Sequence, residues 1–229
     1  MHKPGRLCQP GSRHNDAAAV RIVGLTGGIG MGKSFAARVL RRQGVRVFDA
    51  AATVHRLQGK RGRALPAIEA AFPGTVQCGV LNRAALRAHV LADPARMRQL
   101  EAILHPMVRA EQRRFIARAR AAGARLVVLD VPLLFETGGD ARVDEVLVVS
   151  APRAIQVARV RQRRRMADSE IARIIGLQMP DAERRRRADV VIRTGLSRHY
   201  AMRIIRRWLK AREESTSFLK KRSKKLLVL

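Results

Sequence analysis

A glycine-rich segment near the start of the chain constrains the fold more than any other feature of the sequence. Residues 27–34 read Gly-Gly-Ile-Gly-Met-Gly-Lys-Ser and match the pattern G-x-x-x-x-G-K-[ST] without a gap. Residues 20–25 before it predict a short buried strand, and residues 33–43 after it place apolar side chains at helical spacing, with Gly44 as the helix stop. A strand, a glycine-rich loop and a helix in this order predict an α/β protein with a phosphate-binding loop, here called the P-loop.

The predicted P-loop can bind the phosphates of ATP together with Mg²⁺. Its glycines allow successive backbone N–H groups to turn inward around a triphosphate, and the positive end of the following helix points to the same place. In this interpretation Lys33 reaches the outer phosphates and the Ser34 hydroxyl binds the magnesium ion. The residues assigned to nucleotide binding on this basis are Gly27, Gly28, Ile29, Gly30, Met31, Gly32, Lys33, Ser34 and Phe35. The alternative is a glycine-rich turn that binds no ligand.

Two carboxylates lie at the predicted carboxyl ends of further strands. Asp49 follows residues 45–48, and Asp130 ends the almost wholly apolar segment 126–130. Ligands bind at this edge of open parallel sheets, so both aspartates are site candidates. Asp130 is the candidate acid that holds Mg²⁺ opposite Ser34, and Asp49 could hold a metal-bound water or accept a proton from a substrate hydroxyl. Asp49 could equally be the N-cap of the helix that follows it, and the two roles can coexist.

Apolar segments and helical segments alternate along the chain. The predicted strands are residues 20–25, 45–48, 126–130, 145–149 and 188–192. After the last of them, Ser197 is a predicted cap of a helix that runs to about Lys210, with Trp208 as its packing anchor. Strands separated by helices predict a doubly wound, mainly parallel five-stranded sheet.

Residues 59–123 have a different character, with several predicted helices and few strands. The helices predicted there are residues 65–72, 83–91, 94–104 and 107–122. Asp93-Pro94 is a strong start signal, and His105-Pro106 is expected to separate the last two helices. This is too much helix for a simple crossover, so the section predicts an inserted helical subdomain that holds a phosphoryl acceptor.

The chain is strongly basic, with 47 Lys and Arg against 18 Asp and Glu and a formal net charge of +29. Such an excess attracts polyanions, although aromatic residues make up only 3% of the chain and offer few base-stacking platforms. Arginines are concentrated from residue 151 to 187, and most of them are expected to be a solvated surface. A basic helical hairpin can nevertheless close on ATP as a lid, with Asp168 opening its second helix. Arg159 and Arg163 share one helical face, and we assign them to ATP.

The remaining features predict a cytoplasmic protein. Cys8 and Cys78 make neither a metal-ligand spacing nor a disulfide framework, which fits a reducing compartment. No apolar run is long enough to cross a membrane. Residues 1–19 are predicted to be a disordered extension, with a transit peptide as an open alternative. The basic end, residues 211–229, is predicted to be a disordered solvated tail.

Several motifs together resemble the dephospho-coenzyme A kinase family. They are, in chain order, the loop 24–34 in its Thr-Gly-Gly-Ile-Gly form, Leu104-His105-Pro106, Asp130-Val131-Pro132-Leu133-Leu134-Phe135-Glu136, Gln178 and Ala188-Asp189. The resemblance covers roughly residues 21–209. It implies ATP-dependent phosphorylation of the ribose 3′-hydroxyl of dephospho-coenzyme A, the closing step of coenzyme A synthesis. It also implies a nucleotide-binding core, a helical acceptor subdomain and an arginine-bearing lid.

The resemblance assigns domains and roles to this chain. The core is expected at 20–58, 124–158 and 188–210, the acceptor subdomain at 59–123 and the lid at 159–187. Arg163 falls where the family's lid arginine stands, so the expected catalytic residues are Lys33, Asp49 and Arg163. The residues assigned to the acceptor substrate are Asp49, His105, Pro132, Leu133 and Phe135.

The sequence departs from the family pattern at one position that matters for chemistry. The family has Asp-x-Asp after the second strand, with the second acid usually described as the proton acceptor, whereas this chain has Asp49-Ala50-Ala51. We therefore expect nucleotide binding, with catalysis impaired or dependent on Asp49. The alternatives are another P-loop nucleoside or nucleotide kinase, or a basic ATP-binding module that engages nucleic acid and catalyses nothing. The expected protein is a monomer that needs neither nucleic acid nor membrane.

Overall fold

The computed structural model describes residues 20–164 and 167–226. The predicted extension 1–19 and Cys8 lie outside the described residues. In chain order the elements are β1 (Arg21–Thr26), α1 (Lys33–Arg42), β2 (Arg46–Asp49), α2 (Ala50–Leu57), α3 (Leu65–Ala71), β3 (Val76–Gln77), β4 (Val80–Leu81), α4 (Arg83–Ala92), α5 (Pro94–Ala121), β5 (Leu126–Asp130), a 3₁₀ turn (Gly139–Arg142), β6 (Glu145–Ser150), α6 (Arg153–Arg164), α7 (Asp168–Gly176), α8 (Asp181–Arg187), β7 (Val190–Arg193) and α9 (Arg198–Leu226).

A parallel sheet of five strands forms the centre of the described chain, in the order β2-β5-β1-β6-β7. Every neighbouring pair in it is parallel. This confirms the predicted α/β class and the five-stranded sheet. Because all the strands point the same way, the ends of β1, β2 and β5 bring the P-loop, Asp49 and Asp130 to one edge of the sheet.

Both faces of the sheet are covered by helices, as expected for a doubly wound fold. Val23 and Leu25 of β1 point to one face and pack in a cluster with residues of α1 and α9. Ile22, the residue before Val23, points to the opposite face and packs near Phe115 and Ile116 of α5. This period of two gives a core on each side of a sheet whose central strands are almost entirely apolar.

The section between β2 and β5 has a hydrophobic cluster of its own. The cluster is built on Leu57, Leu65, Ile68 and Phe72 and continues into α4 and the first half of α5. The second half of α5 packs on the sheet instead. The predicted helical insertion is therefore present as a separately packed unit, and α5 joins it to the core.

The predicted break at His105-Pro106 is wrong, because α5 continues through Pro106 from Pro94 to Ala121. Proline removes one backbone N–H from the helix, which usually ends or kinks it. Here the apolar face continues across the proline: Leu104 is buried, and Met107 and Val108 pack against the same cluster. Tertiary packing on both sides of the proline outweighs the missing hydrogen bond.

The C-terminal helix also differs from the prediction. Ser197 caps it as expected, with its Oγ accepting from the Tyr200 N–H at 3.0 Å, and Trp208 is buried with its Nε1 donating to buried Glu145 at 2.8 Å. The helix then runs to Leu226, so the part of the tail that the structure describes is helical rather than disordered. Its sequence contains neither Gly nor Pro that would end it. Across the described residues, no helix combines the length and apolarity that crossing a membrane requires.

Candidate functional site

The P-loop turns sharply between β1 and α1, and its glycines are required there. Gly27 and Gly32 have φ values of 155° and 95°, conformations that side-chain-bearing residues rarely adopt. A Cβ on Gly27 would also lie 2.3 Å from Val149 Cγ2. The backbone can therefore turn in this way only with glycine at these positions. The result is a narrow turn of backbone immediately before α1.

The N-terminus of α1 has the features of an anion-binding site. Gly32 at the N-cap provides no side chain to accept from the first N–H groups, and the first turn of α1 carries no acidic residue. Free N–H groups and the helix dipole together favour negative charge at this end. A phosphate at the P-loop would satisfy groups that the described protein atoms leave available.

Lys33 and Asp130 form a close ion pair at the mouth of the P-loop. Lys33 Nζ lies 2.5 Å from Asp130 Oδ1, and the two side chains are 17% and 4% exposed. Burial raises the pKa of Asp130 above its ordinary value; Lys33 lowers it in part, and the neighbouring Asp49 carboxylate raises it further. The lysine is thus held within the site by a carboxylate that it stabilises.

The assignment of Mg²⁺ to Ser34 and Asp130 stays a prediction, and the chemistry of the two side chains is compatible with it. Within the part of the chain that the structure describes, no group of three or more His, Cys, Asp or Glu side chains could enclose a metal. Mg²⁺ commonly binds through one or two protein oxygens together with phosphate oxygens and water. A hydroxyl and a carboxylate beside a phosphate-binding loop fit that donor set.

Asp49 lies beside Asp130 across the β2–β5 pairing, where the two residues are register partners. Its Oδ1 accepts from the Ala52 N–H at 2.8 Å and so caps α2. Its Oδ2 is 3.9 Å from Arg41, and the side chain is 37% exposed. Both roles considered for Asp49 are compatible with this position, because one carboxylate oxygen caps the helix and the other remains partly open. Ala51 is exposed in the first turn of α2.

The lid arginines differ from each other in their contacts. Arg159 donates to the carbonyl oxygens of Gly30 and Thr194, at 3.4 and 2.7 Å, and to Thr194 Oγ1 at 3.0 Å. Burial lowers the pKa of Arg159, and the Arg163 and Arg198 cations lower it further. Among the described residues, neither Arg159 nor Arg163 has a carboxylate within ion-pair distance. Positive charge therefore accumulates over the P-loop, where an anion would neutralise it.

The acceptor-side candidates are distributed around the site. Pro132 lines the P-loop cavity, and Leu133 is 41% exposed close by. Phe135 is buried beneath the Arg187 guanidinium, whose Cζ atom lies 4.5 Å from the centroid of the Phe135 ring. His105 is half-buried on α5. The roles of these four residues as substrate contacts stay predictions.

Two other nucleotide-binding candidates have partly structural roles. Phe35 packs against the main core cluster, and its N–H donates to the Gly32 carbonyl at 3.0 Å. Met31 is buried, and its Sδ accepts from the Ala151 N–H at 3.1 Å. Their contribution to nucleotide binding would come from the backbone, and it also stays a prediction.

Three polar residues that sequence analysis did not assign to the site contact the P-loop backbone. Gln178 Oε1 accepts from the Ile29 N–H at 3.0 Å, Gln156 Nε2 donates to the Ile29 carbonyl at 2.8 Å, and Thr194 Oγ1 donates to the Met31 carbonyl at 2.5 Å. Gln178 stood among the motifs that carry the family resemblance, which was a signal. Nothing in the sequence pattern marked Gln156 or Thr194.

The P-loop and the lid arginines surround a cavity of about 350 Å³, whose lining includes the loop residues Lys33 and Ser34 together with Pro132, Arg159, Arg163 and Gln178. A parallel sheet with a P-loop at its carboxyl edge and a cationic helical lid defines a P-loop kinase that acts on a small molecule. The family model described as dephospho-CoA kinase matches residues 21–198. The chain belongs to the dephospho-CoA kinase family.

One curated relative and two solved structures show how far the similarity of individual proteins extends. The dephospho-CoA kinase of Gluconobacter oxydans is 52% identical over 188 residues, which cover 80% of this chain and 94% of that protein. The crystal structure of TT1252 from Thermus thermophilus matches with a TM-score of 0.76 and 35% identity, over 84% of this chain and 97% of that one. The dephospho-CoA kinase structure from Campylobacter jejuni shares the fold with a TM-score of 0.64 at 19% identity, over 85% of this chain and 98% of that one.

Proposed function

We propose that this chain transfers the γ-phosphoryl group of ATP to the ribose 3′-hydroxyl of dephospho-coenzyme A, with Asp49 as the proton acceptor. The observation that carries the proposal is the meeting of Lys33, Asp130 and Asp49 at one sheet edge beside the P-loop. This arrangement supplies a phosphate-binding cation, a metal-binding acid and an acid that can receive the hydroxyl proton. Family membership supports the choice of acceptor.

Each group has a distinct part in the proposed reaction. Lys33 turns from Asp130 toward the outer phosphates of ATP. Ser34 and Asp130 would hold Mg²⁺, which would neutralise phosphate charge when bound. Arg163, exposed on α6 and facing the cavity, approaches the γ-phosphate and balances the charge that spreads in the transition state. Asp49 orients the 3′-hydroxyl and takes its proton through the oxygen that does not cap α2.

We assign the remaining parts of the molecule in the same way. The helical unit of residues 59–123 binds the acceptor, with His105, Pro132, Leu133 and Phe135 on that side. Residues 159–187 form the lid over ATP, although α6 itself begins at Arg153 and is continuous across that boundary. The enzyme acts as a cytoplasmic monomer.

The test is ADP release by the purified chain with MgATP, with and without dephospho-coenzyme A. We expect acceptor-dependent ADP release and a product phosphorylated at the 3′ position. AMP, CMP and shikimate should compete poorly with dephospho-coenzyme A. ADP release that AMP or CMP stimulates more strongly would instead support a nucleotide kinase.

The Ala51→Asp substitution is expected to raise turnover. A carboxylate at this exposed position in the first turn of α2 would stand close to Asp49 and add a second proton acceptor, and general base catalysis is typically worth about a hundred- to ten-thousandfold. Because Asp49 already supplies part of this effect, we expect roughly a tenfold increase in kcat with an unchanged KM for ATP. Ala51→Asn, similar in size but uncharged, is the matched control. Equal turnover by the two variants and the parent would show that the missing acid does not matter.

A second candidate activity, binding of nucleic acid, is favoured by the surface of α9. Arg203, Arg206, Arg207 and Lys210 are exposed and recur at helical spacing, so they form one basic stripe. We expect duplex DNA to bind this stripe through its phosphates, with an affinity that falls steeply as salt rises. The measurement is a gel shift at several salt concentrations, comparing the parent with an Arg203→Gln/Arg207→Gln variant. Kinase activity should need no nucleic acid, and equal DNA binding by both proteins would remove the stripe as the site.

A further inference from the structure

The peptide groups of Ile29 in the P-loop are held from both sides by two glutamine side chains, one from α6, the helix that continues into the lid, and one from the segment after α7. Gln178 Oε1 accepts from the Ile29 N–H at 3.0 Å, and Gln156 Nε2 donates to the Ile29 carbonyl at 2.8 Å. Gln156 is 2% exposed, while Gln178 is half-buried and lines the cavity over the P-loop. These side chains satisfy both polar backbone groups of a single loop residue.

We propose that Gln178 and Gln156 are positioning residues that fix the first half of the P-loop and couple its conformation to the position of the lid. Gln156 belongs to α6, which continues into the lid, and Gln178 follows α7 within the lid, so the two bonds come from different elements. The lid cannot move away from the loop without breaking them, and a buried N–H or carbonyl left without a partner is costly. The proposal deepens the proposed function and rests on it for its link to catalysis.

The surroundings of Gln178 hold it in place. The N–H of the next residue, Met179, donates to Glu136 Oε1 at 3.3 Å, and the same oxygen accepts from Arg184 at 2.8 Å. Arg184 is itself 2% exposed. Burial would raise the pKa of Glu136, but the hydrogen bonds and charge of Arg184 and the backbone N–H groups outweigh it and keep that pKa below its ordinary value. The ion pair of Glu136 and Arg184 thus fixes the position of the backbone at Met179, next to Gln178.

Gly28 provides the space that this arrangement needs. A Cβ at Gly28 would lie 2.9 Å from Arg184 Nη1, 3.1 Å from Gln178 Oε1 and 3.5 Å from Gln156 Nε2. The side chains that position Ile29 therefore converge on the preceding residue and fill the volume that any other side chain there would occupy. These polar side chains can therefore pack closely on the loop backbone only because residue 28 is glycine.

The experiment compares Gln178→Ala with Gln162→Ala, which changes an exposed glutamine on α6, the same helix as Gln156. We expect Gln178→Ala to weaken MgATP binding by roughly five- to tenfold in calorimetry, which corresponds to one lost hydrogen bond of about 1 kcal/mol. The KM for dephospho-coenzyme A should stay within about twofold, and the Tm without nucleotide should shift little. Gln162→Ala should match the parent in all three measurements.

An isosteric pair tests the direction of the two bonds. In Gln178→Glu the carboxylate can still accept from the Ile29 N–H. In Gln156→Glu a carboxylate oxygen replaces the donor Nε2 and faces the Ile29 carbonyl oxygen, so two acceptors meet. We expect Gln178→Glu to retain an apo Tm near the parent's and Gln156→Glu to lower it and to weaken ATP binding more. ATP affinity of Gln178→Ala equal to that of Gln162→Ala would overturn the proposal, as would equal apo Tm values for the two glutamate variants. Calorimetry with ATP needs no acceptor, so these results are distinct from a failure to phosphorylate dephospho-coenzyme A.

Discussion

The Lys33→Met variant is expected to lose at least about a thousandfold in kcat/KM, because it removes the cation that binds the outer phosphates and balances their charge in the transition state. A single preorganised donor is typically worth about a hundred- to a thousandfold, and positioned cations in phosphoryl transfer can be worth more. Steady-state ADP release measures the loss. Lys60→Met, at an exposed lysine outside the site, is the matched control and should behave as the parent.

The same variant should also change stability with a characteristic pH dependence. Removing Lys33 leaves the Asp130 carboxylate buried without its ion-pair partner, which costs about 3 kcal/mol at neutral pH. Burial already raises the pKa of Asp130 in the folded protein above its ordinary value, and the loss of Lys33 raises it further. The folded state then binds a proton that the unfolded chain has released, so the destabilisation is largest at neutral pH and decreases as pH falls toward 5.

Urea unfolding at pH 7.5 and pH 5.5 measures this dependence. The double variant Lys33→Met/Asp130→Asn should recover most of the lost stability at pH 7.5 without recovering activity. This separates the structural consequence of the pair from its chemical one. A destabilisation that is independent of pH, or that persists fully in the double variant, would contradict the role given to Asp130.

The Asp49→Asn variant is expected to lower kcat by about a hundred- to ten-thousandfold, the usual value of general base catalysis. Asparagine is as good an N-cap as aspartate, so the bond to the Ala52 N–H and the start of α2 should be preserved. The substitution removes the charge that accepts the proton and leaves the fold intact. The KM for ATP should change little, because Asp49 lies beside the nucleotide site rather than in the loop.

A matched control is available at another helix. Asp93 caps α5 through the Ala95 N–H at 2.7 Å, so Asp93→Asn makes the same chemical change at a cap outside the site. We expect this variant to keep the parent's turnover. Adding Ala51→Asp to Asp49→Asn should restore part of kcat. If Asp49→Asn and Asp93→Asn have equal turnover, Asp49 is only a helix cap.

Much of the fold and of the site could be predicted from local sequence signals. The P-loop pattern, the apolar segments that became the sheet and the helix behind Asp49 each depend on residues that lie close together in the chain. Asp49 and Asp130 can be predicted as site residues because each stands at the carboxyl end of a strand, and parallel strands end at one edge.

Local signals failed where distant parts of the chain decided the outcome. Pro106 is a strong break signal, but the packing of Leu104 and Met107 on one cluster keeps α5 continuous. The basic tail reads as a solvated segment, yet nothing in it ends α9 before Leu226. Helix ends depend on competition between local propensity and tertiary contacts, and a sequence window contains only the first of these.

The sequence by itself determined the class of this protein. The phosphate-binding loop and the acids at the strand ends each consist of residues that are adjacent in the chain, and their local structure follows from the glycines, the charges and the pattern of apolar residues. Only the tertiary structure decided which side chains hold that loop. Gln178 lies 149 residues from Ile29 along the chain, and Asp130 lies 97 residues from Lys33. Contacts over such separations arise from the order of strands in the sheet and the packing of helices on it, so no local pattern could have assigned them.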